Sequence, residues 1–181
     1  MIYVFLAPGF EEIEALTPVD VLRRAGLEVK TVAIGEGKEI VGAHSITVVA
    51  DMNEAEFCDH DPSVIILPGG MPGTTNLENS ATVSIALIEA ASKGALICAI
   101  CAAPSILGIT GLLKGKKATC FPGFEEYLDG ATIVDERVIR DGNVITSKGM
   151  GCAAEFSHAI VEALLGKEKA DEVIKSAFIH I

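Results

Sequence analysis

The sequence predicts an α/β fold, a doubly wound, mostly parallel sheet sandwiched by helices, in one domain spanning residues 1–181. Three observations carry that reading. Short β-branched runs alternate with longer amphipathic segments, the pattern of repeated βα units. Val64-Ile65-Ile66-Leu67 is apolar without a break, as in strands covered on both faces of a parallel sheet. A chain of 181 residues, 50% hydrophobic and 22% charged, can bury a core without disulfide or metal staples.

Ile2–Ala7 reads as a buried strand, ended by a turn at Pro8-Gly9. Glu11–Ala25 follows as a helix, with Ile13, Leu16, Val19 and Leu22 at helical spacing and Gly26 as its stop. Pro18 removes one backbone donor inside that run and should bend or stagger it. Glu28–Ile34 is the second strand, and Glu39–Val49, with Gly42, has the alternation of a small hairpin. Val64–Leu67 runs into Pro68-Gly69-Gly70, and a helix over Ser80–Ser92 closes at Gly94. Ala95–Ile100 is a strand that stops at Cys101. Ala103–Gly108 then begins a helix, with Pro104 suited to its first turn. Lys117–Cys120 reads as a strand. Arg137–Arg140 and Asn143–Ser147 flank Asp141-Gly142, a hairpin signal. Helices over Cys152–Leu165 and Lys167–Ser176 are separated by Gly166.

Composition bounds the partners. A net charge of −11 and a pI near 4.7 repel phosphate backbones, so a small molecule or a protein is favoured over nucleic acid. No basic residue precedes the first apolar run, as an export signal would require. The longest apolar stretch, around Ala95–Ala103, is about half of a membrane span. Five cysteines, an odd number without framework spacing, fit reduced thiols in a cytoplasmic protein. His44, His60, His158 and His180 are scattered, so neither zinc nor another cofactor is expected.

In doubly wound sheets ligands bind beyond the carboxyl ends of the strands, and three such ends are decorated. Cys101 falls at a strand-to-helix turn among Ala99, Ala102 and Ala103, where nearby amides and a helix start favour a thiolate. The geometry is that of a nucleophile elbow with sulfur in place of oxygen. A buried core cysteine is the competing reading. Cys98 and Cys101 make a C-x-x-C, but an extended chain carries Cys98 about 10 Å away, which argues against a dithiol. Glu14 lies among apolar neighbours one turn into the first helix; partly buried, it would have a raised pKa and exchange protons with the thiol. Otherwise it is one of three dipole-stabilising carboxylates with Glu11 and Glu12. Gly69-Gly70 offers a backbone amide to a substrate oxygen, or is a plain turn.

These segments together resemble the ThiJ/PfpI superfamily, in the branch of the Parkinson-disease protein deglycase and its bacterial relatives. The resemblance rests on Leu6–Glu14, Pro18–Gly26, Val64–Gly70, Ala99–Pro104, Thr146–Gly149 and Val161–Glu168. It implies a flavodoxin-like, class I glutamine-amidotransferase-like fold with Cys101 as the reactive elbow cysteine and Glu14 as its protonated partner. The amides of Gly70 and Ala102 become the oxyanion hole, Arg24 an arginine near the pocket, and His44 the counterpart of an arginine contributed across a dimer. Such members are homodimers packed through the first helix and the small hairpin.

One departure stands out. Where many members carry a histidine before a proline, this chain has Phe121-Pro122, so a Cys-His pair is absent. Ala102 also replaces the histidine that follows the elbow cysteine in the protease and chaperone branches. The implied activity is a glutathione-independent glyoxalase or protein deglycase acting on methylglyoxal and glyoxal or their adducts. The alternative is an oxidative-stress sensor or redox-linked chaperone that uses an oxidisable Cys101, with a protease or amidase a distant third.

Overall fold

The computed structural model describes residues 1–181. In chain order its strands and helices are β1 (Ile2–Leu6), α1 (Glu12–Arg24), β2 (Val29–Ala33), β3 (Glu39–Val41), β4 (Thr47–Val49), β5 (Met52–Asn53) and β6 (Val64–Leu67). They continue with α2 (Gly73–Glu78), α3 (Ala81–Ser92), β7 (Leu96–Ile100), α4 (Pro104–Ile109), β8 (Lys117–Ala118), β9 (Thr132–Ile133), β10 (Val138–Asp141), β11 (Val144–Ser147), α5 (Ala153–Leu165) and α6 (Lys167–Ser176).

Seven strands form the main sheet in the order β10-β11-β7-β6-β1-β2-β5. Only the β10–β11 hairpin is antiparallel in it. Alternation along the strands divides the core, because successive side chains point to opposite faces. Val4, Leu6, Ile66, Cys98 and Ile100 pack with α1, α5 and α6 through Leu22, Phe156, Ile160 and Val173. Phe5, Ile65, Leu67, Ile97 and Ala99 pack with α2, α3 and α4 through Leu77, Leu87 and Leu107. Every residue of β6 and β7 is buried, which is why these strands read as unbroken apolar runs.

The structure amends several sequence expectations. Helix α1 runs through Pro18 without interruption; the missing N–H takes a donor from the Glu14 carbonyl but does not break the helix. Lys117–Cys120 does not join the main sheet. β8 pairs instead with β9, and nearby side chains occupy its other donors. Lys117 N–H donates to Asp141 Oδ2 and Thr119 N–H to Thr146 Oγ1. β5, β9 and the six-residue α2 are too short to show a period in the sequence. Ser80 caps α3 from just outside it, its Oγ accepting from Val83 N–H.

The order of connection reverses between β1 and β6: β2 lies on one side of β1, and the chain returns to the other side as β6. Such a reversal opens a crevice at the carboxyl ends of those strands. The turns after β1, β6 and β7 all reach it.

Candidate active site

Cys101 follows β7 directly and has φ 64°. That left-handed conformation costs a non-glycine residue of order 1–3 kcal/mol and persists only where the surroundings fix it. Here they do. Cys101 N–H donates to the Ser147 carbonyl at the end of β11 (2.9 Å), and the Cys101 carbonyl accepts from Phe121 N–H (2.7 Å). The cysteine is therefore a strained elbow and not a core thiol; its side chain is only partly buried.

Glu14 comes from the first turn of α1 and is 1% exposed. Glu11, the N-cap residue, accepts from Glu14 N–H at 2.7 Å and sets the start of the helix. The Glu14 carboxylate accepts from Gly69 N–H at 2.9 Å and from the Met150 amide, and it hydrogen-bonds the Cys101 thiol. Burial pushes Glu14 up to about 7, against these hydrogen bonds and with help from the charge of Glu11.

The amides of Gly70 and Ala102 face the Cys101 sulfur. They favour the thiolate, as the sequence suggests, but they do not win. Burial first, then the charge and hydrogen bond of Glu14, push the thiol up to about 12. Cys101 and Glu14 titrate as one coupled pair, in which burial and the two groups' mutual repulsion favour keeping a proton while the two amides favour the thiolate.

Glycine is required around this pair. A Cβ on Gly69 would lie 2.6 Å from Cys101 Cβ and 2.7 Å from Glu14 Oε2. Gly70 has φ 90°, and a Cβ there would meet the Glu11 nitrogen at 2.4 Å. Phe121, 47% exposed, stands beside the cysteine through its backbone bond to Cys101, with its ring against Gly149.

Arg24 and His44 are not brought to the pair within one chain. Arg24 lies ten residues beyond Glu14 on the same helix, about 15 Å along its axis, and its Nε donates to Asp20 at 2.7 Å. His44, exposed on the hairpin loop, binds Glu12 through its backbone N–H (2.7 Å) and Nδ1 (2.8 Å). Glu12 is nearly buried; its burial is outweighed by these bonds from His44, which hold it below the usual carboxylate range. The same contact raises His44. Glu11, Glu12 and His44 place ligand atoms within 4.8 Å of one another, as a metal site would. Both Glu12 oxygens, however, already accept from His44.

Cys98 is sealed in the core, so the C-x-x-C is no accessible dithiol. Cys152, at the start of α5, is a free buried thiol. The sequence reading missed the amides of Gly69 and Met150. The first lies in a motif already noted, whereas nothing local marks the second.

The fold and elbow place this chain among doubly wound α/β proteins that mount a cysteine at a strand-to-helix turn above the sheet. It belongs to the DJ-1/PfpI family, which it matches over residues 1–163. It is 38% identical over 178 residues to Protein dj-1beta of Drosophila melanogaster, covering 97% of this chain and 95% of that one. It is 35% identical over 168 residues to the glutathione-independent glyoxalase DJR-1.2 of Caenorhabditis elegans, covering 91% and 88%. The crystal structure of a cysteine-to-alanine mutant of a DJ-1 superfamily protein from Salmonella typhimurium superposes with a TM-score of 0.94. The two are 34% identical, with 99% and 98% of the chains covered.

Proposed function

We propose that this protein is a glyoxalase that needs no glutathione, converting methylglyoxal or glyoxal, free or as hemiaminal adducts whose C–N bond breaks with a proton going to the departing amine, to the 2-hydroxy acid through Cys101. The observation that carries this reading is the Cys101–Glu14 pair under the Gly70 and Ala102 amides. The thiol adds to the aldehyde carbon: a C–S bond forms, the carbonyl electron pair moves to oxygen, and the thiol proton passes to the Glu14 carboxylate. The two amides hold the oxyanion until Glu14 returns the proton, which gives a hemithioacetal. Glu14 then carries the aldehyde hydrogen, as a proton, to the neighbouring carbonyl carbon, while the hemithioacetal hydroxyl proton passes to the oxygen on that carbon. Water cleaves the resulting thioester, releasing the hydroxy acid and restoring the thiol. Aldehyde oxidation is balanced by ketone reduction within one molecule, so no external oxidant enters. The C. elegans relative named as a glyoxalase supports the assignment.

The same reading makes the protein a homodimer packed through α1 and the β3–β4 hairpin. Ile13, Val41, Ile46 and Val49 leave apolar side chains exposed there. Arg24 and His44 would then serve a partner's pocket.

Lactate formed from methylglyoxal without glutathione, by wild type and by Cys101→Ser, tests the proposal. Lactate that depends on Cys101 is expected. Its absence would favour the second reading, an oxidation sensor, in which the Glu14 carboxyl and the two amides stabilise an oxidised sulfur. A solved relative at 32% identity is Toxoplasma gondii DJ-1 in an oxidized form.

A further inference from the structure

On the far side of the elbow from α1 lies a cavity of about 390 Å³, within the ~300–1,000 Å³ range of small-molecule sites. Its walls are continuations of the turns that build the Cys101 site. Met71, Thr74 and Glu78 follow Gly70; Ser105 follows Ala102; Phe124 and Tyr127 follow Phe121. Ser105 Oγ donates to the Ala102 carbonyl at 2.7 Å, so this wall and the Ala102 amide belong to one turn.

Three features define what would fit. Thr74 is 2% exposed, and its Oγ1 is a buried side-chain oxygen with no hydrogen-bond partner in the protein. Glu78 stands at the cavity wall with no cation near it in sequence. Segments 69–92, 102–113 and 119–135 contain no Lys, Arg or His but carry Glu78, Glu89, Glu125, Glu126, Asp129 and Asp135. Phe124 and Tyr127, with ring centroids 6.0 Å apart, and the Met71 thioether supply polarisable apolar surface. Carboxylate, aromatic faces and an unused hydroxyl together suit a cation on an aliphatic stem.

We infer that this cavity binds the ammonium or guanidinium side chain of a basic residue, and so selects basic peptides for the neighbouring cysteine. The net charge of −11 draws such ligands toward the protein. The link to turnover rests on the proposed dicarbonyl chemistry; the binding does not.

The test is a heteronuclear NMR titration of the whole protein with Nα-acetyl-arginine methylamide, and with Nα-acetyl-norleucine methylamide as the uncharged control. Saturable shifts of the Thr74, Ser105 and Tyr127 amides are expected with the arginine compound alone. Glu78→Gln, a surface change, should weaken that binding about tenfold. Thr74→Val should weaken it less, and both variants should keep wild-type lactate formation from free methylglyoxal. Equal binding of the norleucine compound, unchanged affinity in Glu78→Gln, or no saturable shift at these amides would overturn the inference. Because the titration does not involve turnover, a failed glyoxalase assay leaves this result standing, and the reverse holds too.

Discussion

Replacing Glu14 by glutamine should change how stability depends on pH. The folded protein holds the Glu14 proton at about 7, against an ordinary 4.5. It therefore binds that proton more tightly than the unfolded chain does. The advantage is complete below about 4.5 and lost once the pH passes about 7. For a group 1% exposed, linkage gives a loss of roughly 2–3 kcal/mol between about pH 5 and pH 8. Glutamine cannot ionise, so Glu14→Gln removes this slope. Its amide keeps an acceptor for Gly69 N–H, but its NH₂ group meets the Met150 amide, donor against donor, at a cost of about 1 kcal/mol. The variant should then be slightly less stable than wild type at about pH 5 and more stable, by about 1–2 kcal/mol, at about pH 8. Urea unfolding of both proteins under reducing conditions at the two pH values measures the difference. A wild-type-to-variant difference that is the same at both would refute the raised carboxyl and, with it, the proton-sharing pair.

Two further substitutions probe the site's geometry. Gly69→Ala puts a Cβ 2.6 Å from Cys101 Cβ and 2.7 Å from Glu14 Oε2. It should cost about 1–3 kcal/mol in unfolding experiments and abolish most Cys101-dependent lactate formation; wild-type turnover would show that the pair tolerates displacement. Phe121→His places an imidazole against Gly149, on the residue whose N–H binds the Cys101 carbonyl. It should raise turnover, by up to ~10²-fold if the ring reaches the reacting oxygen, and add a limb near pH ~6.5 to the rate profile. Phe121 is half exposed, so the stability loss should stay below ~1.5 kcal/mol. A folded variant with an unchanged pH profile would deny that position a catalytic part.

The sequence exposes the fold well where burial is complete and poorly where pairing is brief. β6 and β7 are legible because both faces are covered, which leaves no polar residue to interrupt them. β5 and β9, two residues each, carry no period to read. Lys117–Cys120 looks like a sheet strand by composition, but the side chains of Asp141 and Thr146 take its donors. The elbow was legible as a strand that runs into small residues and a proline. The ionisation of Cys101 was not. Amides can be placed from a turn motif, but the depth of burial and the charge of a residue 87 positions away depend on packing. Arg24 is a different case: ten helical residues put it about 15 Å from Glu14 of its own chain, so one chain alone does not bring it to the site.

The central claim is a covalent intermediate on Cys101. Intact-protein and peptide mass spectrometry on samples quenched during turnover of methylglyoxal would detect it directly. The account predicts that Cys101 transiently gains the mass of one methylglyoxal, that this adduct decays as lactate appears, and that Cys101→Ser forms neither. Lactate production with Cys101 unmodified throughout, or adducts confined to lysine and arginine side chains, would contradict it.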